Sequence, residues 1–392
     1  MEYNFQLYQE ITNRIAASLQ QRITFAEYMD LALYQPKYGY YSQKATNLGK
    51  EGDFFTSVHL GSDIGEMLAV QFVEMWSILG QPESFYLIEM GAGQGYLAAD
   101  ILNYIKQEYS DFFKTIKYKI IEKSSGLKQL QQQRLKEFEV TWCDLEEIPN
   151  NSVTGCFFSN ELVDAFPVHQ FKIENRELRE IYVTRRQGDK EMGGQGEFFT
   201  EITDKPSTPK LLDYLDSLEI DINQYADGYR SEINLAALEW LSVIAHRLQR
   251  GYVLTIDYGY IKNSYYNPRR DRGSLQCYTR HHRHNDPYIN IGQQDITAHV
   301  DFTALEKKGF SLGLHKVGLT QQGLFLMALG LGERVASLSQ SKQPLSTILQ
   351  RRDSLHQLLD PMGLGGFHVL AQAKGLKETE KSQQLKGFTQ PY

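Results

Sequence analysis

The chain has 392 residues, 41% hydrophobic and 23% charged, with a formal net charge of −7 and a sequence pI near 5.9. That is the composition of an ordinary globular protein with room for roughly two or three domains. Its acidity argues against nucleic-acid binding, which calls for a basic face. Three scattered cysteines, Cys143, Cys156 and Cys277, make no disulfide framework. No apolar run approaches membrane-spanning length. The opening MEYNFQLYQEITNRI lacks the marks of a signal or transit peptide, so a cytoplasmic, bacterial protein is expected.

In chain order, residues 4 to 34 read as helical, with Ile11, Ile15 and Leu19 at helical spacing and Thr24 placed to cap a second helix together with Glu27. A turn-rich aromatic stretch, YQPKYGYYSQ, leads to GDFFTS (Gly52 to Ser57) and a Met- and Leu-rich helix to about Leu79. From Phe85 strands and helices alternate. Strands are expected at 85–90, 117–122, 138–143, 153–159 and 251–257, and a last one within Gly366 to Gly375. This pattern predicts an α/β fold, a mostly parallel sheet covered on both faces. The stretch from about Phe171 to Leu235 is too long for a loop and reads as an inserted subdomain, a candidate lid. Helical stretches run from about 324 to 360, and residues 377–392 read as a disordered tail.

The stretch FYLIEMGAGQGY (Phe85 to Tyr96) ends a strand in an acid and continues with Gly91, Gly93 and Gly95. A dinucleotide fingerprint would need a glycine at position 96, which is Tyr96. Glu89 would also repel a pyrophosphate and suits a cationic ligand. S-adenosylmethionine (SAM), with a sulfonium, an amino group and no phosphate, meets both conditions. Glu122, ending the next strand, stands where a carboxylate could accept both ribose hydroxyls. Asp144, after the third strand, could receive the adenine amino group, with Trp142 or Leu145 against the ring. A plain tight turn without a ligand is the alternative for the glycines, and a solvated loop acid is the alternative for Asp144.

The fourth strand ends in SNELVDAFP, where Asn160, Glu161 and Asp164 would lie beyond the carboxyl edge of the sheet. The i, i+3 spacing of Glu161 and Asp164 predicts two carboxylates on one face of a helical turn. Paired carboxylates can grip a guanidinium through its fixed donors, leave one nitrogen aimed at a methyl donor and take up a proton. An acid pair stabilising a helix N-terminus is the bland alternative.

These residues carry a resemblance. GDFFTS with GSDIGEML, LIEMGAGQGYLAADIL, SNELVDAFPVHQF, RSEIN, IDYG, RGSLQCY and GQQDITAHVDF occur in order from about Thr24 to Lys374. The chain resembles the MidA-like family of SAM-dependent methyltransferases, whose mitochondrial members assist respiratory complex I assembly. The resemblance implies a class I methyltransferase fold with a seven-stranded sheet, its last strand antiparallel. It also implies methylation of a protein arginine, with a subunit of a respiratory complex as substrate. It further implies that GDFFTS folds over the cofactor, with Asp53 and Thr56 reaching its amino-acid end, and it places His299 near the active site, where it could help to remove a proton; a satisfied histidine on a helix face is the alternative.

The expected organisation is an N-terminal helical cap over 1–83, a methyltransferase core over 84–376 containing both insertions, and the tail. Cys277, His281, His282 and His284 match no metal spacing, and no metal is expected. Arg230 and Glu232 are expected to form an ion pair, and Asp257 and Tyr258 to border the cleft. Two alternatives stay open: a methyltransferase for a small molecule, and a non-enzymatic SAM-binding assembly factor.

Overall fold

The computed structural model of the chain describes residues 4–47, 57–186, 199–279, 282–338 and 344–390. It divides into two compact units, one made of residues 55–162, 240–259 and 308–392, the other of 1–54, 163–239 and 260–307.

The first unit is built on a seven-stranded sheet. Its strands are β1 (Phe85–Met90), β2 (Ile116–Ile121), β3 (Val140–Trp142), β4 (Val153–Asn160), β5 (Leu248–Asp257), β6 (His315–Gln321) and β7 (His368–Lys374). Their order is β3-β2-β1-β4-β5-β7-β6. The pairings among β3, β2, β1, β4 and β5 are all parallel, and β7 runs antiparallel to both β5 and β6. The class I methyltransferase fold is thus present, including the antiparallel last strand. β1, β4 and the second half of β5 are buried at nearly every position, as strands covered on both faces require. Helices α1 (Asp63–Ile78), α2 (Tyr96–Glu108), α3 (Ser125–Arg134), α4 (Gln322–Leu329), α5 (Leu331–Leu338) and α6 (Leu345–Leu359) belong to the same unit. One apolar core runs from α1 through β1, β4 and β5 to α4 and α6.

The second unit carries an antiparallel sheet in the order Arg22–Thr24, Glu177–Arg185, His169–Glu174, Arg230–Ile233, with Phe199–Asp204 also on Glu177–Arg185. Helices Phe5–Ala17 and Phe25–Tyr34 share a core with Phe199, Leu275 and Ile296. The second helix starts in the expected capping box: Glu27 N–H donates to Thr24 Oγ1 at 3.1 Å and Thr24 N–H to Glu27 Oε2 at 3.2 Å.

The expected boundaries shift in three places. Residues 171–235 are not a separate insertion but fold with residues 1–54 and 260–307. Helix α1, assigned by sequence to the N-terminal cap, belongs to the sheet unit, because Met67, Leu68, Phe72 and Met75 are buried in its core. The tail is ordered through residue 390: Glu378–Lys381 is helical, Leu385 is fully buried, and Phe388 packs on Phe325 at 5.3 Å between ring centroids. A Cβ on Gly387 would come within 2.3 Å of the Phe325 ring, so glycine lets the tail close onto α4. Leu385→Ala should therefore destabilise the sheet unit by about 2–5 kcal/mol in urea unfolding, and deletion of 377–392 by more; an unchanged midpoint would mean that the tail contributes nothing to the core.

Candidate active site

The glycine loop leaves β1 in a conformation that side chains resist. Gly91, Gly93 and Gly95 have φ of 70°, 53° and 79°, all left-handed. Gly91 N–H continues the sheet pairing to Ile121 O at 3.1 Å, and Gly95 N–H closes the turn on Ala92 O at 2.8 Å before α2 begins. A Cβ at Gly91 would strike Leu162, and one at Gly95 would touch Gln131 at 3.4 Å, whereas one at Gly93 would meet nothing within 4 Å among the described residues. At the loop tip the Cα of Gly93 is thus left uncovered by the other described residues.

Three carboxylates stand at the carboxyl ends of adjacent strands. Glu89 on β1 is buried, and Tyr118 Oη donates to its Oε2 at 2.6 Å. Tyr118 lies opposite Leu87, so its ring shares the face that Glu89 uses and its hydroxyl reaches forward. Burial, with Glu122 nearby, pushes the Glu89 carboxyl up to about 7, against the hydrogen bond from Tyr118. Glu122, after β2, is raised by burial as well. It accepts from Ser124 N–H at 2.8 Å on Oε1 and from Gln131 Nε2 at 3.0 Å on Oε2. Glu161, after β4, is raised by burial too; its Oε1 accepts from Ser57 N–H, Ser57 Oγ and Asn160 Nδ2 at 3.3, 3.0 and 3.2 Å. Among the described residues, its Oε2 is buried with no hydrogen-bond partner. None of the three pairs with a Lys, Arg or His among the described residues.

This donor set fits SAM. A carboxylate has about four acceptor sites; Ser124 and Gln131 engage one on each oxygen of Glu122, which leaves a place on each for a ribose hydroxyl. Partly desolvated acids without cations favour a sulfonium or an ammonium and disfavour a phosphate. Trp142 Nε1 donates to Gln131 Oε1 at 2.8 Å, which fixes the indole beside the loop. Asp144 is exposed and opens the turn Leu145–Glu147, its N–H donating to Glu147 Oε2 at 2.8 Å. Asp53, Thr56 and His281 lie outside the described residues.

Beyond β4 the chain departs from expectation. Glu161 and Asp164 do not share a helical turn. Glu161 N–H still pairs with Ile256 O at 2.9 Å, and its φ of 52° is left-handed. Asp257 then captures Leu162 N–H through Oδ2 at 3.2 Å, and only Val163–Ala165 form a short 3-10 turn. The sheet's hydrogen bonding holds the chain extended for longer than the acid spacing suggests. Asp164 belongs to the second unit. It is buried, and its turn is pinned there by Tyr34 Oη to Ala165 O at 2.8 Å and Ala298 N–H to Asp164 O at 2.9 Å.

Also in the second unit, His299 stacks on Tyr260 at 4.8 Å, with Nδ1 3.3 Å from Ser274 O. Burial pulls its pKa down to about 4, so the ring is neutral near pH 7 and a weak proton acceptor. Asp301 accepts from Thr303 and Ala304 N–H at 3.0 and 3.1 Å, a helix cap. The expected Arg230–Glu232 pair is replaced: Arg230 binds Glu201 through both Nη atoms at 2.6 and 2.7 Å, and buried Glu232 accepts from Ser274 N–H and Oγ at 2.8 and 2.9 Å. Cys277 is buried opposite His284 on paired strands.

Two residues escaped the sequence reading, Ser57 and Gln131. Gln131 had a signal, because it lies midway between Leu127 and Leu135 on the apolar stripe of α3, where a polar side chain calls for a buried partner.

Two outcomes are expected. Gly93→Ala should cost little stability, about 1–2 kcal/mol for the left-handed backbone, yet lower SAM affinity at least about tenfold in calorimetry; intact affinity would remove the loop tip from the site. Glu89 binds its proton more tightly folded than unfolded. Its contribution to stability is therefore full below the ordinary carboxylate range and is lost as pH rises through about 7. Glu89→Gln should consequently flatten the fall of the urea midpoint between about pH 5 and 8; an unaltered slope would contradict the raised pKa.

Comparison with known proteins agrees with this geometry. Residues 67–320 match the family of S-adenosyl-L-methionine-dependent methyltransferases. The mitochondrial protein arginine methyltransferase NDUFAF7 of Danio rerio is 28% identical over 402 residues, covering 94% of this chain and 89% of the relative. Its Drosophila melanogaster homolog is 27% identical over 381 residues, covering 90% and 82%. A crystal structure from Burkholderia thailandensis bound to S-adenosyl-homocysteine superimposes with a TM-score of 0.82 at 26% identity, covering 98% of this chain and 95% of that one. With the fold, the glycine loop and the strand-end carboxylates in agreement, the chain belongs to the S-adenosyl-L-methionine-dependent methyltransferase family.

Proposed function

We propose that the chain transfers a methyl group to a guanidinium nitrogen of an arginine in a protein substrate, a subunit of a respiratory complex of the complex I type, and that it acts in the cytoplasm. SAM, when bound, supplies an electrophilic methyl carried on a sulfonium. The observation that carries the reading is Glu161. One of its oxygens is held by three donors, and the other is buried with no donor among the described residues. Burial raises its pKa, so it is a stronger base than an ordinary carboxylate and a strong acceptor for the N–H groups of a guanidinium.

In this reading Glu161 binds the guanidinium and takes its proton when the nitrogen is methylated. Asn160 and Ser57 hold Glu161 in place. His299, with its lowered pKa, stays outside the proton path. The names of the relatives support arginine as the acceptor. Glu161→Gln keeps the shape of the side chain and removes its charge. It should leave SAM affinity within about threefold and reduce transfer at least about a hundredfold. The acceptor is tested by mass spectrometry of respiratory-complex subunits from a deletion strain: one arginine should lose its methylation. Retained turnover of Glu161→Gln would remove the residue from the mechanism, and unchanged arginines in the deletion strain would remove the proposed substrate.

A further inference from the structure

Gln131 is fully buried in the sheet unit, and both ends of its amide are engaged. Nε2 donates to Gly93 O at 2.8 Å and to Glu122 Oε2 at 3.0 Å, and Oε1 accepts from Trp142 Nε1 at 2.8 Å. These contacts permit one orientation of the amide only, because a flip would set its oxygen against a carbonyl and a carboxylate, and its NH2 against an indole N–H. The side chain joins the segments that follow β1 and β2 to the last residue of β3: the loop tip, the strand-end acid and the indole. Its own position is set by α3, where Gly95 packs against it with only 3.5 Å from a would-be Cβ to the Gln131 Cα. A Cβ at position 95 would lie in van der Waals contact with Gln131, and the left-handed φ of 79° is what calls for glycine there.

We infer that Gln131 is the positioning residue through which the site selects a nucleoside with an intact cis-diol; this rests on the reading of Glu122 as the ribose acceptor. Two vicinal hydroxyls can be received together only if the carboxylate plane is fixed. Ser124 N–H holds one oxygen of Glu122 and Gln131 the other. Without Gln131 the carboxylate keeps only the backbone donors of the adjacent turn and loses its one side-chain anchor among the described residues, so the second hydroxyl loses a fixed partner. The same amide ties Trp142 to the loop, so the indole and the carboxylate are set by one group. Replacing the amide by an acid would place two carboxylates in contact and remove both donors at once.

The test is calorimetric titration of the full chain with S-adenosylhomocysteine and with its 2′-deoxy analogue, for the wild type, Gln131→Leu and Gln131→Glu. Wild type should bind the parent compound at least about tenfold more tightly than the deoxy analogue. Gln131→Leu should weaken the parent about tenfold or more and the analogue less than about threefold, which collapses the discrimination. Gln131→Glu should weaken the parent further, with a loss that deepens as pH rises. A purely structural role would weaken both ligands equally, and that result, or unchanged discrimination, would overturn the inference. If Gln131→Leu fails to fold, Trp142→Phe and Gln131→Met carry the same comparison. Trp142→Phe frees one anchor of the amide and should erode the discrimination partially, and full retention in both variants would also overturn the inference. A wild type that binds neither compound would instead remove the cofactor reading itself.

Discussion

The glycine-loop end of the sheet removes three carboxylates from water without a cationic partner among the described residues. Glu89, Glu122 and Glu161 end adjacent parallel strands, and all three are pushed toward higher pKa by burial. Their partners are a phenol, backbone N–H groups, hydroxyls and amides. Such partners satisfy part of a carboxylate's acceptor capacity but neutralise none of its charge. Lysine or arginine in the same places would stabilise the unliganded chain more and would compete with a cationic ligand. Stability is thereby traded for affinity, and the ligand that benefits is a sulfonium with a vicinal diol.

The geometry around these acids is held by contacts far apart in the chain. The left-handed backbone of Glu161 is unfavourable for a residue with a Cβ. It persists because Ile256 and Asp257 hold the flanking N–H groups and Ser57 holds the side chain. Ser57 precedes α1, and the beginning of α1 is itself tethered. Asp63, almost fully buried, pairs with Arg351 of α6 at 2.9 Å and with Arg334 of α5 at 3.3 Å, and Arg334 also pairs with Glu66. A buried carboxylate with two guanidinium partners is costly to break from one side. The helices at 331–359 thus act as a brace for the segment that reaches Glu161.

The second unit solves a different problem. Its buried acids cap helices or receive backbone donors, as Asp301 and Glu232 do, and its half-buried Arg230 pairs with Glu201 rather than with the nearer Glu232. Arg230 and Glu232 are two apart on one strand, where side chains share a face, but a bidentate partner on another strand aligns better with a planar guanidinium. Asp164 sits on a turn whose carbonyls are all taken by Asn234, Tyr34 and Ala298, so its position is rigid although its segment is short.

Much of this was legible in the residues. Alternating strands and helices predicted the parallel sheet, and the glycines at 91, 93 and 95 marked a loop whose left-handed backbone admits little else. Glu89 at position −2 and Glu122 at the next strand end distinguished SAM from a dinucleotide, because periodicity places strand-end residues at the carboxyl edge without any tertiary knowledge. What local pattern could not reach were contacts decided by packing. Gln131 meets Gly93 across 38 residues, Ser57 meets Glu161 across 104, and Asp257 meets Leu162 across 95. Those three contacts turn a helical-looking acid pair into a strand-end carboxylate with one oxygen held, and a polar helix residue into a clamp on Glu122. Hydrophobic period specifies which face of an element is buried; only the closed tertiary structure decides which buried polar groups meet, since each must find a partner among whatever the packing brings within 3 Å.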